Sequence, residues 1–196
     1  MISGTGEIDT DMTDKFLKIV ITKPELIHDE AAKITKLLEN GVDYVHLRKP
    51  GASLRDVRNI IEDIPYKFRR RLKLHGHFEL LNDFNLGGVH LNSRCPVAPE
   101  TADKISRSCH TTEELSECEK FEYVTLSPIY DSISKAGYHA TFDLASIKEK
   151  ITGKNVIALG GVTPFKFEEL KRSGFAGGAM LGIVWDDFDK FLSLLQ

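Results

Sequence analysis

Asn155-Val-Ile-Ala-Leu-Gly160-Gly161-Val-Thr-Pro164 and Gly177-Gly-Ala-Met-Leu-Gly182-Ile-Val184 repeat one arrangement. Each is an apolar run that ends in glycine. A continuous apolar run bounded by glycine predicts a strand covered on both faces, as in a parallel sheet. Glycine at the carboxyl end of such a strand lets a ligand reach backbone N–H groups. A helix starting there adds the positive end of its dipole. Two such turns in tandem predict a phosphate cup from the N–H groups of Gly160, Gly161, Gly182 and Ile183, where barrels hold phosphate after strands seven and eight. Glycines that only turn the chain are the plainer alternative.

Outward from that pair, strands and helices alternate along the whole chain. Strands are predicted at Phe16–Ile21, Tyr44–Arg48, Arg69–His75, Gly88–Asn92, Lys104–Cys109, Tyr123–Ser127, Val156–Leu159 and Ala179–Ile183. Helices are predicted at Asp29–Asn40, after the capping Ser53, at Asp143–Lys150, after Thr163-Pro164 and at Asp187–Leu195. Thr111-x-x-Glu114 reads as a capping box. Only short connections fit between Phe78 and Asn85 and between Pro96 and Asp103. Eight βα units predict a compact (β/α)8 TIM barrel with short connections around strands three to five. A doubly wound open sheet is the alternative, but no Gly-x-Gly-x-x-Gly follows strand one. Residues 1–14 read as a mobile leader and residues 15–196 as one domain.

Composition narrows the function classes. A net charge of −3 gives no electrostatic case for nucleic acid. No apolar run is long enough to span a bilayer. The three cysteines contain no Cys-x-x-Cys pair, which makes a disulfide framework improbable and a cytoplasmic setting the default.

In a barrel the site forms where strands end. Those ends supply His46, Arg48 and Lys49; His75 and His77; His90, Asn92 and Arg94; Ser108, Cys109 and His110. The long loop after strand six adds Ser132, Ser134 and Lys135. Cations and hydroxyls dominate, which suits an anionic small molecule. Arg48 ends a buried strand and should point into the mouth. His110, just before a helix start, is placed as an acid/base shuttle, though it could be an ordinary loop histidine. His90 reads as a satisfied core histidine. His75 and His77, with His46 on the next strand, invite a metal reading; the ends of strands two and seven supply no carboxylate for it, so no metal is expected.

Val45-His-Leu-Arg-Lys49, Gly88-Val-His-Leu91, Ser108-Cys-His-Thr-Thr-Glu-Glu114, Ser127-Pro-Ile-Tyr-Asp-Ser-Ile-Ser-Lys135, Ala158-Leu-Gly-Gly-Val-Thr-Pro164 and Gly174-Phe-Ala-Gly177 stand in order. Together they resemble the thiamin phosphate synthase and thiazole tautomerase superfamily. The resemblance implies a barrel, usually a homodimer, that binds a phosphorylated thiazole. Enzymes of the synthase type hold Mg²⁺ through aspartates. One belongs in an Asn-Asp pair where this chain has His75-Gly76, the other where it has Arg94-Cys95; Asn82-Asp83 is a decoy. The tautomerase is similar at the altered positions, and there the resemblance makes His110 the proton shuttle. The expected function is thus a metal-free thiazole phosphate tautomerase, without cofactor. His46, Arg48, Lys49, His75, Ser108, Ser132, Ser134 and Lys135 would surround the substrate, with Arg48 and Lys49 or Lys135 neutralising its carboxylate. A divergent, Mg²⁺-using thiamin phosphate synthase is the main alternative, and a non-catalytic binder the third.

Overall fold

In the computed structural model, which describes residues 15–131 and 141–195, eight parallel strands close into a barrel in the order β1 to β8. The strands are β1 (Leu17–Ile21), β2 (Tyr44–Leu47), β3 (Leu72–Leu74), β4 (Val89–Leu91), β5 (Ile105–Cys109), β6 (Tyr123–Leu126), β7 (Val156–Leu159) and β8 (Gly177–Met180). Helices α1 (Glu30–Glu39), α2 (Leu54–Glu62), α3 (Tyr66–Arg69), α4 (Leu144–Ile151), α5 (Phe167–Arg172), α6 (Gly182–Asp186) and α7 (Phe188–Ser193) connect them. The TIM barrel expected from the sequence is therefore the fold. The leader, Ser132, Ser134 and Lys135 lie outside the described residues.

The short connections fall where the spacing put them. Between β3 and β4 there is only a 3₁₀ turn at Phe78–Asn82, and between β4 and β5 no helix at all. The capping box forms: Thr111 N–H donates to the Glu114 carboxylate and Glu114 N–H to the Thr111 hydroxyl. What it opens is a 3₁₀ helix, Glu113–Lys120. Strand three starts later than expected, because Tyr66–Arg69 is helical and Arg69 turns back to donate to the Ile64 and Glu62 carbonyls. Strand eight is shifted earlier, to Gly177–Met180, and Gly182 and Ile183 open α6. Gly177 belongs inside the strand because a Cβ there would lie 2.5 Å from the Leu17 carbonyl oxygen. Only a bare backbone lets β8 pair this closely with β1.

Alternation along each strand sorts the side chains into two layers. Val20, Val45, Leu47, Val124, Val156 and Ala158 join the helix-facing core. Ile19, Ile21, Tyr123, Ile157 and Ala179 form a separate cluster inside the barrel. The same alternation turns His46, Lys73, His90, Ser106 and Thr125 inward, and all five are buried. The interior is thus divided. Strands β1, β7 and β8 supply an apolar half, and β2 to β6 a polar half.

Candidate active site

At the base of the polar half, Lys73 pairs with Glu122 at 2.6 Å. Tyr44 donates to the other oxygen of Glu122 at 3.3 Å. Above this layer lie three imidazoles. Tyr123 Oη is 2.6 Å from His46 Nε2, and His46 Nδ1 is 2.8 Å from His75 Nε2. His90 sits between Ser106 Oγ and Ser108 Oγ, each at 2.9 Å. The His75 and His90 rings stack with centroids 4.3 Å apart. Burial, with Lys73 nearby, depresses all three below the ordinary histidine range, His90 to about 3. They are uncharged at neutral pH.

Over these imidazoles opens a cavity of about 570 Å³. Its polar wall carries Arg48, His75, His77, His90, Arg94 and His110; its apolar wall is Ile21, Leu159 and Leu181. No carboxylate lines it among the described residues. Arg48 and Arg94 have no ion pair among the described residues, and burial and Arg94 lower the Arg48 pKa. Burial and Arg94 thus outweigh the charge of Glu25 at Arg48, and two guanidiniums on one wall favour anions over cations.

His110 follows β5 and lines the same cavity. Its Nδ1 lies 3.2 Å from Ser127 Oγ and 3.4 Å from the Ser127 carbonyl oxygen. Its backbone N–H donates to Glu114, so the main chain and one ring nitrogen are both fastened. Nε2 has no hydrogen-bond partner among the described residues. With Nδ1–H donating to Ser127, Nε2 carries a lone pair able to take a proton. The neighbouring Cys109 is fully buried, and burial and Glu114 push its thiol up to about 11. It is not a competing base near neutral pH.

Lys49 and His46, expected at the substrate, sit differently, and so do the histidines His77 and His90. The Lys49 ammonium, expected to neutralise a substrate carboxylate, is buried in an ion pair with Glu30 at 2.5 Å. It also donates to the Lys23 and Glu25 carbonyls at 2.8 and 2.6 Å. Its charge is spent fastening the loop after β1 to α1, and burial raises the Glu30 pKa despite that partner. His46 lies beneath the cavity and touches His75, Tyr123 and His90 rather than lining it. His77 adopts a left-handed backbone conformation (φ 53°), and its Nε2 lies 3.0 Å from the Ala52 carbonyl oxygen. It does not join His75 and His46. His90 does, so the core histidine and the histidine cluster are the same residue.

Gly160 and Gly161 adopt positive φ, 94° and 62°. A Cβ on Gly161 would lie 2.4 Å from the Asp131 carbonyl oxygen, and one on Gly160 2.9 Å from Pro128. Tyr130 N–H donates to the Gly160 carbonyl at 3.0 Å. The glycines therefore admit the segment after β6 as well as turning the chain. The cavity wall stops at Leu159 and Leu181, one residue short of Gly160 and Gly182, so the glycine turns stand at its rim.

The residues here do not fit the Mg²⁺ that the resemblance implies. A Cβ on Gly76 would lie 3.7 Å from Cys95 Sγ, so the two stretches that would bear aspartates do face each other. They offer a hydrogen atom, a thiol and the Arg94 guanidinium. The Asn92 side-chain oxygen already accepts from the Arg94 and Cys95 N–H groups. Mg²⁺ requires hard oxygen donors in near-octahedral order. Asp83, of the decoy pair, is bound to Arg58 outside the cavity.

The sequence profile of the family described as thiamine monophosphate synthase (TMP-TENI) matches residues 18–184. The thiamine-phosphate synthase of Limosilactobacillus reuteri is 22% identical, the match covering 96% of this chain and 89% of that protein. That of Flavobacterium psychrophilum is 21% identical over 90% of this chain and 94% of its own length. A thiamine phosphate pyrophosphorylase from Bacteroides thetaiotaomicron superposes with a TM-score of 0.80 at 35% identity, covering 92% of each chain. One from Pyrococcus furiosus shares the fold, with a TM-score of 0.73, 21% identity and coverage of 91% and 93%. By profile and by these likenesses, the chain belongs to the thiamine monophosphate synthase family.

Proposed function

We propose that the chain isomerises a carboxylated thiazole phosphate by proton transfer, without Mg²⁺. The observation that carries this reading is the cavity lining, which combines guanidiniums and imidazoles and holds no carboxylate among the described residues. A planar ring would lie between the apolar wall of Ile21, Leu159 and Leu181 and the imidazole wall. Its carboxylate would face Arg48 and Arg94. Its phosphate would reach the rim at Gly160, Gly182 and Ile183, where helix α6 starts. His110 Nε2 would take a proton from one carbon and return it at another. No atom is gained or lost, and aromaticity of the product ring supplies the driving force.

A second reading is favoured by the comparisons. The relatives named above are called thiamine-phosphate synthases or pyrophosphorylases, and those names fit a synthase better than an isomerase. In that reading Arg48 and Arg94 would meet a pyrophosphate. The two readings part in D₂O. Incubating the purified protein with the non-aromatic carboxythiazole phosphate should give the aromatic isomer carrying solvent deuterium, read by NMR. Recovery of unchanged, unlabelled substrate would reject the isomerase reading.

A further inference from the structure

Beneath the cavity stands a cluster that the proton transfer does not use. His46, His75 and His90 each place a ring nitrogen within 4.8 Å of the others. His46 and His90 stand in β2 and β4, and His75 directly follows β3 with its N–H still donating to the Leu47 carbonyl of β2 at 3.2 Å, so the barrel sets their spacing. We propose that these three histidines form a nitrogen-donor site for a borderline divalent transition cation, Zn²⁺ foremost, at the floor of the cavity. This departs from the expectation of no metal, and it stands independently of the isomerase reading.

Three features beyond proximity support the site. First, ring nitrogens of two of the three histidines are already held by hydroxyls. Tyr123 Oη fixes His46 Nε2 at 2.6 Å, leaving His46 Nδ1 turned toward His75. A serine hydroxyl lies 2.9 Å from each nitrogen of His90, so one can orient the ring while the other gives way to a cation. Such outer hydrogen bonds orient ligating imidazoles in metal centres. Second, a position stays open. His75 and His90 line the cavity, so a fourth ligand can come from solvent or a bound anion. Third, the donor set selects the metal. Three imidazoles suit Zn²⁺, Cu²⁺ or Ni²⁺ and give Mg²⁺ nothing it prefers. A cation would take the place of the hydrogen bond between His46 and His75. Lys73 and Arg48 bear on these rings as positive charges, which favours an anionic fourth ligand. Inorganic phosphate should therefore strengthen Zn²⁺ binding.

The full-length protein, stripped of metal and dialysed, is titrated with Zn²⁺ by calorimetry and with Co²⁺ by visible absorption. The expected result is one Zn²⁺ per chain and a Co²⁺ spectrum of the intensity typical of four-coordinate sites. His75→Ala should weaken Zn²⁺ at least about a hundredfold, because a ligand is lost. Tyr123→Phe keeps every ligand and should weaken it about ten- to a hundredfold. His77→Ala should leave affinity unchanged. Circular dichroism and thermal melts establish that each variant is folded; should His75→Ala fail to fold, Tyr123→Phe decides. Absence of saturable binding, binding indifferent to the His75 or Tyr123 change, or binding lost with His77 would overturn the site.

Discussion

At the scale of the residue, the site turns on which histidine carries charge and which carries a usable lone pair. His46 and His90 are buried, His75 is half-buried, and all three stay neutral, whereas His110 is exposed and anchored through Nδ1. His110→Asn should preserve folding and ligand affinity and lower turnover about two to four decades, the usual contribution of a positioned acid/base. Cys109→Ala should turn over normally, since its thiol stays protonated. Steady-state kinetics on both variants checks this; full activity of His110→Asn would remove it from the mechanism. The strand-end position of His110 was legible because acid/base candidates are expected where barrel strands end. The role of Lys49 was not. Its partner Glu30 belongs to a helix whose packing against strand two no local pattern announces. The histidine cluster carried a signal that could have been read: His46, His75 and His90 share the inward parity of their strands. His77 has that parity too, but whereas His75 N–H still bonds to the Leu47 carbonyl just past β3, the chain at His77 has turned to a left-handed conformation.

At the scale of the element, the base of the barrel is held by the bridge between β3 and the start of β6. Lys73 is fully buried and Glu122 keeps 14% of its side-chain surface. Glu122→Gln should cost about 3 kcal/mol, because it strands a buried ammonium. Adding Lys73→Met to that change should recover most of the loss, since an apolar side chain needs no partner there. Urea titrations of the single and double variants measure both steps; a loss under about 1 kcal/mol in the single variant would show that Lys73 finds solvent. Glycine patterning announced β7, β8 and the turns between them, but not why the glycines are required. At Gly161 and Gly177 the reason is a backbone carbonyl from another element lying where a Cβ would stand. That contact exists only in three dimensions. The boundaries of β3 and β8 moved for a related reason. Arg69 and Gly182 are compatible with strand or helix, and the closed barrel settles the choice.

At the scale of the molecule, the division of the interior into an apolar and a polar half links stability to pH. The three depressed histidines stay unprotonated in the folded chain while the unfolded chain binds protons below about pH 6.5. The unfolded state then holds more protons, so stability falls as pH falls. Stability should therefore fall between pH 7 and 5.5, in a window where most carboxylates remain ionised. Denaturant unfolding at the two pH values tests this, and an unchanged midpoint would mean that the cluster takes up protons when folded. The same interior joins the family's fold to a mouth that no carboxylate lines among the described residues, and the proposed isomerisation without Mg²⁺ rests on that lining. It is tested most directly by measuring turnover of both substrate sets side by side, with Mg²⁺ omitted and then restored. Isomerisation of the carboxythiazole phosphate at a rate indifferent to Mg²⁺, with no coupled product, is the predicted result. Thiamin phosphate formed from the pyrimidine pyrophosphate and thiazole phosphate, only when Mg²⁺ is present, would contradict it.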